Sequence, residues 1–235
     1  MSIQVSGLVK CYGQQKAVNN ISFKINNGEI VGFLGPNGAG KSTTLKIITG
    51  CLKSDAGIAE VCGIDVTKNS IEAKRKIGYL PETNALYYDM FVKEYLYFIA
   101  QAHQLQQPKN AVERVLHLTG LAVEQTKKIG QLSKGYKQRV GLAAAFIHQP
   151  EVIILDEPTS GLDPNQIIDI RNVIKAEGKG KTVLFSSHIL QEVEAICDRI
   201  IIINKGKIVA NDSTLNITSK TDSLENVFRK LTQSN

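Results

Sequence analysis

The sequence lacks any apolar stretch long enough to cross a membrane as a helix. The aliphatic runs Val152–Leu155 and Ile200–Ile203 have only the length of core strands, whereas a spanning helix needs about 20 apolar residues. The first residues, Met1–Val5, also lack the charged and apolar regions of a signal peptide. We therefore expect a cytoplasmic protein that is peripheral on the inner face of the cell membrane only through a membrane-embedded partner.

Cysteine motifs and a strong charge imbalance are absent as well. None of the four cysteines stands in a C-x-x-C motif, so we expect buried free thiols. The net charge of +6 is compatible with phosphate ligands or an anionic membrane surface, but it is too small to indicate nucleic acid as a partner. With 43% apolar and 21% charged residues in 235 positions, the composition is that of a soluble globular protein of one large or two small domains.

A glycine-rich stretch fits the pattern G-x-x-x-x-G-K-[ST] of a phosphate-binding loop. An apolar run over residues 30–34 leads into it and a helical pattern over 45–48 leads out, which is the strand–loop–helix context that the motif needs. In such a loop the backbone N–H groups face one anion, Lys41 reaches the β- and γ-phosphates, and the Ser42 hydroxyl holds Mg²⁺. The loop consists of Gly35, Pro36, Asn37, Gly38, Ala39, Gly40, Lys41, Ser42 and Thr43.

Strand and helix patterns alternate along most of the chain, which predicts an α/β fold with a largely parallel, helix-covered sheet. Predicted strands cover residues 3–5, 21–25, 30–34, 58–61 (of edge type), 77–80, 152–155, 182–185, 200–203 and 207–210. Three consecutive helical patterns between residues 92 and 147 indicate a helical insertion at about 86–148 within one domain over 1–212. The remaining tail, 213–235, contains one amphipathic helix over 224–231.

A second motif joins a buried strand to two acids. The strand Val152–Leu155 is followed directly by Asp156 and Glu157. Since parallel strands end at the same edge of a sheet, these carboxylates should meet the phosphate loop there. Asp156 would hold Mg²⁺, and Glu157 would orient and polarise the attacking water.

A third motif decides the family. Residues 132–139 read Leu-Ser-Lys-Gly-Tyr-Lys-Gln-Arg, where Ser133 can cap a helix and Gly135 leaves room for an anion. Taken alone, this stretch is better explained by an ordinary helix cap than by a second anion site. It resembles, however, the signature of ABC-type ATPases, usually L-S-G-G-Q, with Lys134 and Tyr136 as departures. The other motifs of that family follow in order over about residues 2–212, including a D-loop-like stretch with Asp163, a switch-like His188 and an aromatic Tyr12.

The resemblance implies a P-loop NTPase with a RecA-like core, an antiparallel β subdomain and an inserted helical subdomain that carries the signature. It implies that two subunits pair head to tail, as a homodimer or with a second ATPase subunit. The signature of one chain, Ser133 to Tyr136, would then face the γ-phosphate of ATP on the other chain. His188 would contact Glu157 and the γ-phosphate, Tyr12 would stack on adenine, and Asp163 would link the two sites.

One position departs from the family in a way that affects chemistry. After the strand at 77–80, the family usually carries a glutamine that senses Mg²⁺ and the membrane partner, whereas this chain has Glu82. A carboxylate can also bind Mg²⁺, although it adds negative charge near the triphosphate. We expect Glu82 to take over the sensing role; the alternative is a solvent-facing glutamate that leaves Mg²⁺ to Ser42, Asp156 and water.

The spacing of the motifs favours a transporter subunit over other ABC ATPases. Lys41 and Ser133 are 92 positions apart (133 − 41), too few for a chromosome protein with an inserted coiled coil, and a single set of motifs argues against tandem translation factors. Seven of the 14 Tyr and Phe residues lie within 79–98, more than one helix face can bury. A groove for a helix of a membrane permease subunit is a natural use for them, although complete burial by the helical subdomain remains the alternative.

Weaker stretches at residues 77–82, 86–90 and 223–228 are similar to export-type ABC subunits, most of all to gliding-motility-associated ATP-binding proteins. The sequence thus predicts an ATP-hydrolysing exporter subunit. The alternatives are a soluble ABC ATPase acting on a non-membrane partner and, in a different class, a P-loop kinase or GTPase. The signature-like and switch-like stretches argue against the last class, as does the lack of an N-K-x-D motif.

Overall fold

The computed structural model describes residues 1–218 and 223–233. Its strands are β1 (Ile3–Tyr12), β2 (Gln15–Ile25), β3 (Ile30–Leu34), β4 (Ala56–Val61), β5 (Ile64–Asp65), β6 (Ile77–Leu80), β7 (Val152–Asp156), β8 (Thr182–Ser187), β9 (Arg199–Asn204) and β10 (Lys207–Ser213). Its α-helices are α1 (Lys41–Ile48), α2 (Ser70–Lys76), α3 (Val92–Ala102), α4 (Pro108–Leu118), α5 (Lys134–Phe146), α6 (Pro164–Glu177), α7 (Leu190–Ile196), α8 (Thr214–Ile217) and α9 (Leu224–Gln233).

The larger sheet has the strand order β10-β9-β3-β8-β7-β6. The pairs β9–β3, β3–β8, β8–β7 and β7–β6 are parallel, while β10 returns antiparallel to β9. This is the predicted largely parallel sheet, and the predicted hairpin turns at Lys205 and Gly206. The order places β3, β8 and β7 side by side, so the loops that follow these three strands open at one edge.

The smaller sheet is antiparallel, with the order β2-β1-β4-β5. Its first two strands pair from Ile3↔Ile25 to Tyr12↔Gln15 and are longer than predicted, because register shifts along β1 break the alternation from which strands are read. The prediction that residues 58–61 form an edge strand is wrong, because β4 lies between β1 and the short β5. A two-residue strand such as β5 leaves no periodic pattern in a sequence.

Two hydrophobic clusters lie on opposite faces of the larger sheet. Along β7, Ile153 and Leu155 belong to one cluster, while Val152 and Ile154 belong to the other. The first cluster is completed by helices α3–α9, and the second by α1, α2 and the antiparallel sheet. Because strand residues alternate between faces, the aliphatic run Val152–Leu155 fills both cores, as expected for a strand covered on both sides.

The helical stretch between β6 and β7 contains α3, α4 and α5, with 3-10 turns at Ala122–Glu124 and Ile129–Gln131. Pro108 occupies the first turn of α4, where its missing N–H costs nothing. Ser133 caps α5 by accepting a hydrogen bond from the Tyr136 N–H at 3.4 Å. The three predicted helices are thus confirmed.

The C-terminal helix α9 packs on the rest of the chain through Leu224, which is completely buried. Asn204 Nδ2 donates to the carbonyl oxygens of Leu231 and Thr232, at 3.3 Å each. The predicted amphipathic helix is confirmed, although the predicted tail over 213–235 also includes positions outside the described residues. All four cysteines are free, as expected, but only Cys197 is buried and Cys51 is exposed, because Cys51 lies in the turn that follows α1.

Candidate active site

Two glycines shape the phosphate loop between β3 and α1. Gly40 caps α1 with φ +108°, and a Cβ there would collide with the Ala17 carbonyl oxygen. A Cβ on Gly35 would collide with the Ile203 carbonyl oxygen. Neither position can accept another residue without a shift of the backbone. The loop is therefore held against β2 and β9, with the N-terminus of α1 at its end.

Lys41 is directed into the loop and is only 7% exposed. Its Nζ donates to the carbonyl oxygens of Gly35 at 2.8 Å and Pro36 at 3.4 Å, and lies 3.7 Å from Glu157 Oε1. The ammonium group is thus held by groups that a phosphate oxygen, a stronger acceptor, can replace.

Asp156 ends β7 and is completely buried. Its Oδ1 accepts hydrogen bonds from the hydroxyls of Ser42, at 3.1 Å, and Ser186, at 2.7 Å. Its Oδ2 is buried and has no hydrogen-bond partner among the described residues. A buried carboxylate oxygen without a partner is costly, and it is relieved by a cation. Together with the Ser42 hydroxyl it forms a set of hard oxygen donors that suits Mg²⁺.

Glu157 adopts a left-handed backbone conformation with φ +51°, which costs a non-glycine residue energy unless its neighbours enforce it. Its N–H donates to Ser186 Oγ at 2.9 Å, and its Oε2 lies 2.6 Å from Nδ1 of His188. The predicted pair of Glu157 and His188 is therefore in direct contact. Ser186 holds both acids in place through a single hydroxyl, and sequence reasoning assigned it no role.

Lys41, Ser42, Glu157 and His188 line one cavity of about 490 Å³ at the edge where β3, β7 and β8 end, and Asp156 is connected to it through the Ser42 hydroxyl. Tyr12 and Glu82 also reach it, and Tyr12 is 53% exposed at its rim. Three further lining residues were not predicted, namely Gln15, Ala17 and Ser160. The predicted site residues that line it are Tyr12, Asn37, Gly38, Gly40, Lys41, Ser42, Thr43, Glu82, Glu157 and His188.

The signature-like stretch lies outside this cavity. Ser133 and Lys134 are exposed, Tyr136 is half-buried, and a Cβ on the buried Gly135 would collide with the amide of Gln166. Within the described part of the chain, none of Ser133 to Tyr136 lines the cavity that holds Lys41. Asp163, predicted to link two sites, caps α6 here by accepting from the N–H groups of residues 165 and 166.

A hydrogen-bonded chain connects the loop after β6 to the loop after Glu157. Asn84 Nδ2 donates to Gln138 Oε1 at 2.9 Å, and Gln138 Nε2 donates to the Pro158 carbonyl oxygen at 2.7 Å. Gly141 allows this approach, since a Cβ there would come within 2.7 Å of Asn84. Helix α5 is thus fixed to both loops of the site.

Among residues 1–218 and 223–233, no helix is long and apolar enough to cross a membrane. The sequence profile of the ABC transporter family matches residues 18–160, which is more than half of the chain.

Curated relatives and solved structures agree with this match. The bacitracin transport ATP-binding protein BcrA of Bacillus licheniformis is 41% identical over 209 residues, covering 88% of this chain and 68% of that protein. The linearmycin resistance ATP-binding protein LnrL of Bacillus subtilis (strain 168) is 38% identical, covering 93% and 71%. A dimeric ATP-binding cassette in a post-hydrolysis state, bound to ADP and Pi, superposes with a TM-score of 0.83 at 26% identity, over 91% of this chain and 99% of that one. The chain therefore belongs to the ABC transporter family, as one of its ATP-binding ATPase subunits.

Proposed function

We propose that this ATPase powers a membrane exporter and that the cavity at the edge of the larger sheet is its catalytic half-site. The proposal rests on one observation: Lys41, Glu157 and His188 meet in that cavity at ion-pairing or hydrogen-bonding distances. Ser42, which also lines the cavity, joins it to the buried Asp156 through a 3.1 Å hydrogen bond. Phosphoryl transfer depends mainly on positioning and on stabilising charge, and these residues supply both.

Each residue has a role that follows from its contacts. The phosphate loop and the N-terminus of α1 bind the triphosphate, and Lys41 exchanges its carbonyl partners for phosphate oxygens. Ser42 and Asp156 would hold Mg²⁺, which neutralises phosphate charge when bound. Glu157 orients the attacking water and accepts its proton, while His188, 2.6 Å away, fixes the Glu157 carboxylate and faces the γ-phosphate. Tyr12, at the rim, stacks on the base.

This assignment is tested with Glu157→Gln, which keeps the shape of the side chain but removes the base. We expect ATP affinity to stay within about threefold and the hydrolysis rate to fall by at least about 100-fold. Glu113→Gln, an exposed position on α4, is the matched control and should behave as wild type. If Glu157→Gln hydrolysed ATP at the wild-type rate, the role given to Glu157 would be wrong.

The half-site is completed by a second ATPase subunit. Because Ser133 and Gly135 are outside the cavity of their own chain, they can act on ATP only from another copy or from a related subunit. The dimeric state of the solved cassette supports pairing of two subunits. We propose that the pair is head to tail, with Ser133 to Tyr136 of one chain facing the γ-phosphate on the other and Asp163 near the interface.

The composite site predicts two different failures. Lys41→Ala should abolish hydrolysis and weaken ATP binding to the single subunit, since it removes a phosphate ligand. Ser133→Arg should abolish hydrolysis but leave ATP binding to the single subunit within about twofold of wild type, because Ser133 is exposed and does not line the cavity. Normal hydrolysis by Ser133→Arg would exclude the composite site.

Glu82 lines the same cavity and is exposed, so it can approach a bound Mg²⁺ or its water ligands. Two positions further on, Asn84 begins the hydrogen-bonded chain to Pro158. We propose that Glu82 senses the nucleotide and the membrane partner. Glu82→Gln should keep ATPase activity, whereas Glu82→Ala should keep hydrolysis but lose its dependence on the partner. Unchanged coupling in the alanine variant would remove this role.

The surface for the membrane subunit consists of four exposed aromatic side chains, Tyr87, Tyr88, Phe91 and Phe98, called here the aromatic surface. The helical segment therefore does not bury all the aromatics of residues 79–98. The ring of Tyr87 packs edge-on against Phe98, with centroids 5.8 Å apart, and Lys137 Nζ lies 5.2 Å from the Tyr88 ring. Exposed aromatics rimmed by polar groups are typical of interaction sites.

Co-purification from detergent-solubilised membranes tests the aromatic surface. Tyr88→Asp and Phe91→Asp should each lose the membrane subunit and keep ATP binding, while Val123→Asp, at a highly exposed apolar position, should keep both. Retention of the subunit by the first two variants would refute the aromatic surface. Recovery of only a soluble partner with the wild-type protein would favour the alternative of an ABC ATPase that acts outside the membrane.

Two observations support export as the direction of transport. Residues 77–82 and 86–90 resemble export-type subunits, and relatives are named for bacitracin transport and linearmycin resistance. The gliding-motility branch rests on residues 77–82, 86–90 and 223–228 alone. A neighbouring reading frame with six membrane spans would support the exporter, and loss of drug tolerance rather than motility on deletion would reject the gliding branch.

A further inference from the structure

Glu192 is a buried carboxylate that the mechanism above does not use. It lies on α7, its residue is only 2% exposed, and its Oε2 accepts hydrogen bonds from Thr159 Oγ1 at 2.7 Å and from Ser187 Oγ at 3.0 Å. Its other oxygen, Oε1, is buried and has no hydrogen-bond partner in the part of the chain that the structure describes.

Burial of such a carboxylate lowers the stability of the folded chain. Burying a carboxylate without a cation costs free energy that two hydroxyl donors only partly return, and Glu192 forms no ion pair within residues 1–218 and 223–233. An apolar side chain would pack against the neighbouring cluster at lower cost. The reason for a carboxylate must therefore lie in what its two hydrogen bonds hold.

Those two bonds join the segments that carry the catalytic pair. Thr159 is two residues after Glu157, and Ser187 is one residue before His188. Ser187 Oγ also accepts the Ile189 N–H at 2.9 Å, so the turn around His188 is built on the same hydroxyl. We propose that Glu192 is a positioning residue: it fixes the Thr159 and Ser187 segments relative to each other and thereby sets the contact between Glu157 and His188.

The proposal rests on the catalytic roles given above to Glu157 and His188, and it adds the residue that aligns them. Removing the carboxylate leaves both hydroxyls without their acceptor and frees one loop to move against the other. A displacement of about 1 Å in a catalytic group can lower a rate by about 100-fold. Binding of ATP should be largely spared, because Gly35 and Gly40 of the phosphate loop pack directly against β9 and β2.

A comparison of four proteins tests whether Glu192 aligns Glu157 with His188 or only stabilises the fold. The four are wild type, Glu192→Ala, Glu192→Gln and Glu194→Gln. Glutamine keeps one oxygen that can accept from both hydroxyls, and Glu194 is exposed on the same helix. We expect Glu192→Ala to lose kcat by about 10- to 100-fold with ATP affinity within about threefold. Glu192→Gln should recover to within about threefold of wild type, and Glu194→Gln should match it. Equal losses in Glu192→Ala and Glu192→Gln, or an alanine variant at full kcat, would overturn the proposal.

A second readout is independent of hydrolysis. The chain has only four histidines, so the ring resonances of His188 can be assigned by NMR and compared at one fixed pH. Glu157→Gln gives the reference shift for a His188 that has lost its carboxylate contact. Glu192→Ala should move the resonances toward that reference, and Glu192→Gln should not. If the His188 resonances did not move in Glu192→Ala, the aligning role of Glu192 would be refuted even if the rate fell. If the wild-type protein did not hydrolyse ATP but the variants showed the expected shifts, the catalytic roles of Glu157 and His188 would be refuted and Glu192 would still be the residue that aligns them.

Discussion

The buried His148 should make the free energy of unfolding of this protein fall as the pH is lowered from 7.5 to 5. Its ring stacks on His103 at 3.9 Å between centroids, and its Nε2 lies 3.1 Å from the Ile77 carbonyl oxygen, which must accept from an N–H. Its Nδ1 is buried without a partner within the described residues. Burial, followed by the neighbouring His103, lowers the pKa of His148 from 6.5 to about 4, because protonation at Nδ1 would place a charge in this enclosed position.

The sign and size of the effect follow from linkage. Because the pKa is lower in the folded chain, the unfolded chain binds more protons below pH 6.5. Stability is therefore fully present above about pH 6.5 and is lost as the pH falls toward 4. With these two pKa values, the loss between pH 7.5 and pH 5 is about 2 kcal/mol, and solvent screening of the partly exposed ring reduces it to about 1–2 kcal/mol. Burial also lowers the pKa of His103, which acts in the same direction.

The perturbation is His148→Phe, which keeps a flat ring on His103 but cannot be protonated. Urea unfolding at pH 7.5 and pH 5 gives the loss of unfolding free energy for each protein, and the loss should be about 1–2 kcal/mol smaller in the variant than in wild type. His117→Asn, at an exposed histidine of α4, should show the wild-type loss. If His148→Phe and wild type lost the same amount between the two pH values, the buried neutral histidine would be refuted.

Three further predictions concern the site and its supports. Gly40→Ala should lose ATP binding and about 1–3 kcal/mol of unfolding free energy, because φ is +108° and the new Cβ would meet the Ala17 carbonyl oxygen. Gly38→Ala has open space around its Cβ and should lose less of each. Nucleotide titration measures the binding, and urea unfolding measures the free energy. Asp156→Asn should raise the Mg²⁺ concentration for half-maximal hydrolysis by at least about tenfold, seen in a Mg²⁺ titration at saturating ATP. Gln138→Leu should lower the unfolding free energy by about 1–3 kcal/mol, because the Pro158 carbonyl loses its donor, while the exposed Gln101→Leu should change it little.

The site was most predictable where the chemistry is local in sequence. The phosphate loop needs a strand before it and a helix after it, and both were visible as apolar patterns next to the glycines. The meeting of Asp156 with Ser42 could also be predicted, although the two are far apart in the chain, because parallel strands end at a common edge. The structure adds the 3.1 Å hydrogen bond that joins them.

The supports of the site could not be predicted, because they are single polar groups whose partners are set by tertiary packing. Ser186 contacts Asp156 and Glu157, and Glu192 contacts Thr159 and Ser187. A serine at the end of a strand or a glutamate on a short helix has no periodicity or spacing that distinguishes it from surface residues of the same type. A completely buried carboxylate becomes informative only when its burial is known.

Two residues of the usual signature, Ser133 and Gly135, have structural roles in this fold, and one departure from it, Lys134, is accommodated by a neighbouring glycine. Gly135 is kept because a Cβ would collide with Gln166, and Ser133 is kept as the cap of α5. Lys134 stands where the family usually has glycine, and its exposed side chain extends over Gly161, on the side where a Cβ of that residue would point. The chain thus accommodates Lys134 by pairing it with a glycine in the loop that precedes α6. A side chain at position 161 would require the flexible end of Lys134 to shift, and the φ of +69° would strain any residue other than glycine there. Position 161 is therefore restricted to glycine by its backbone as well as by Lys134.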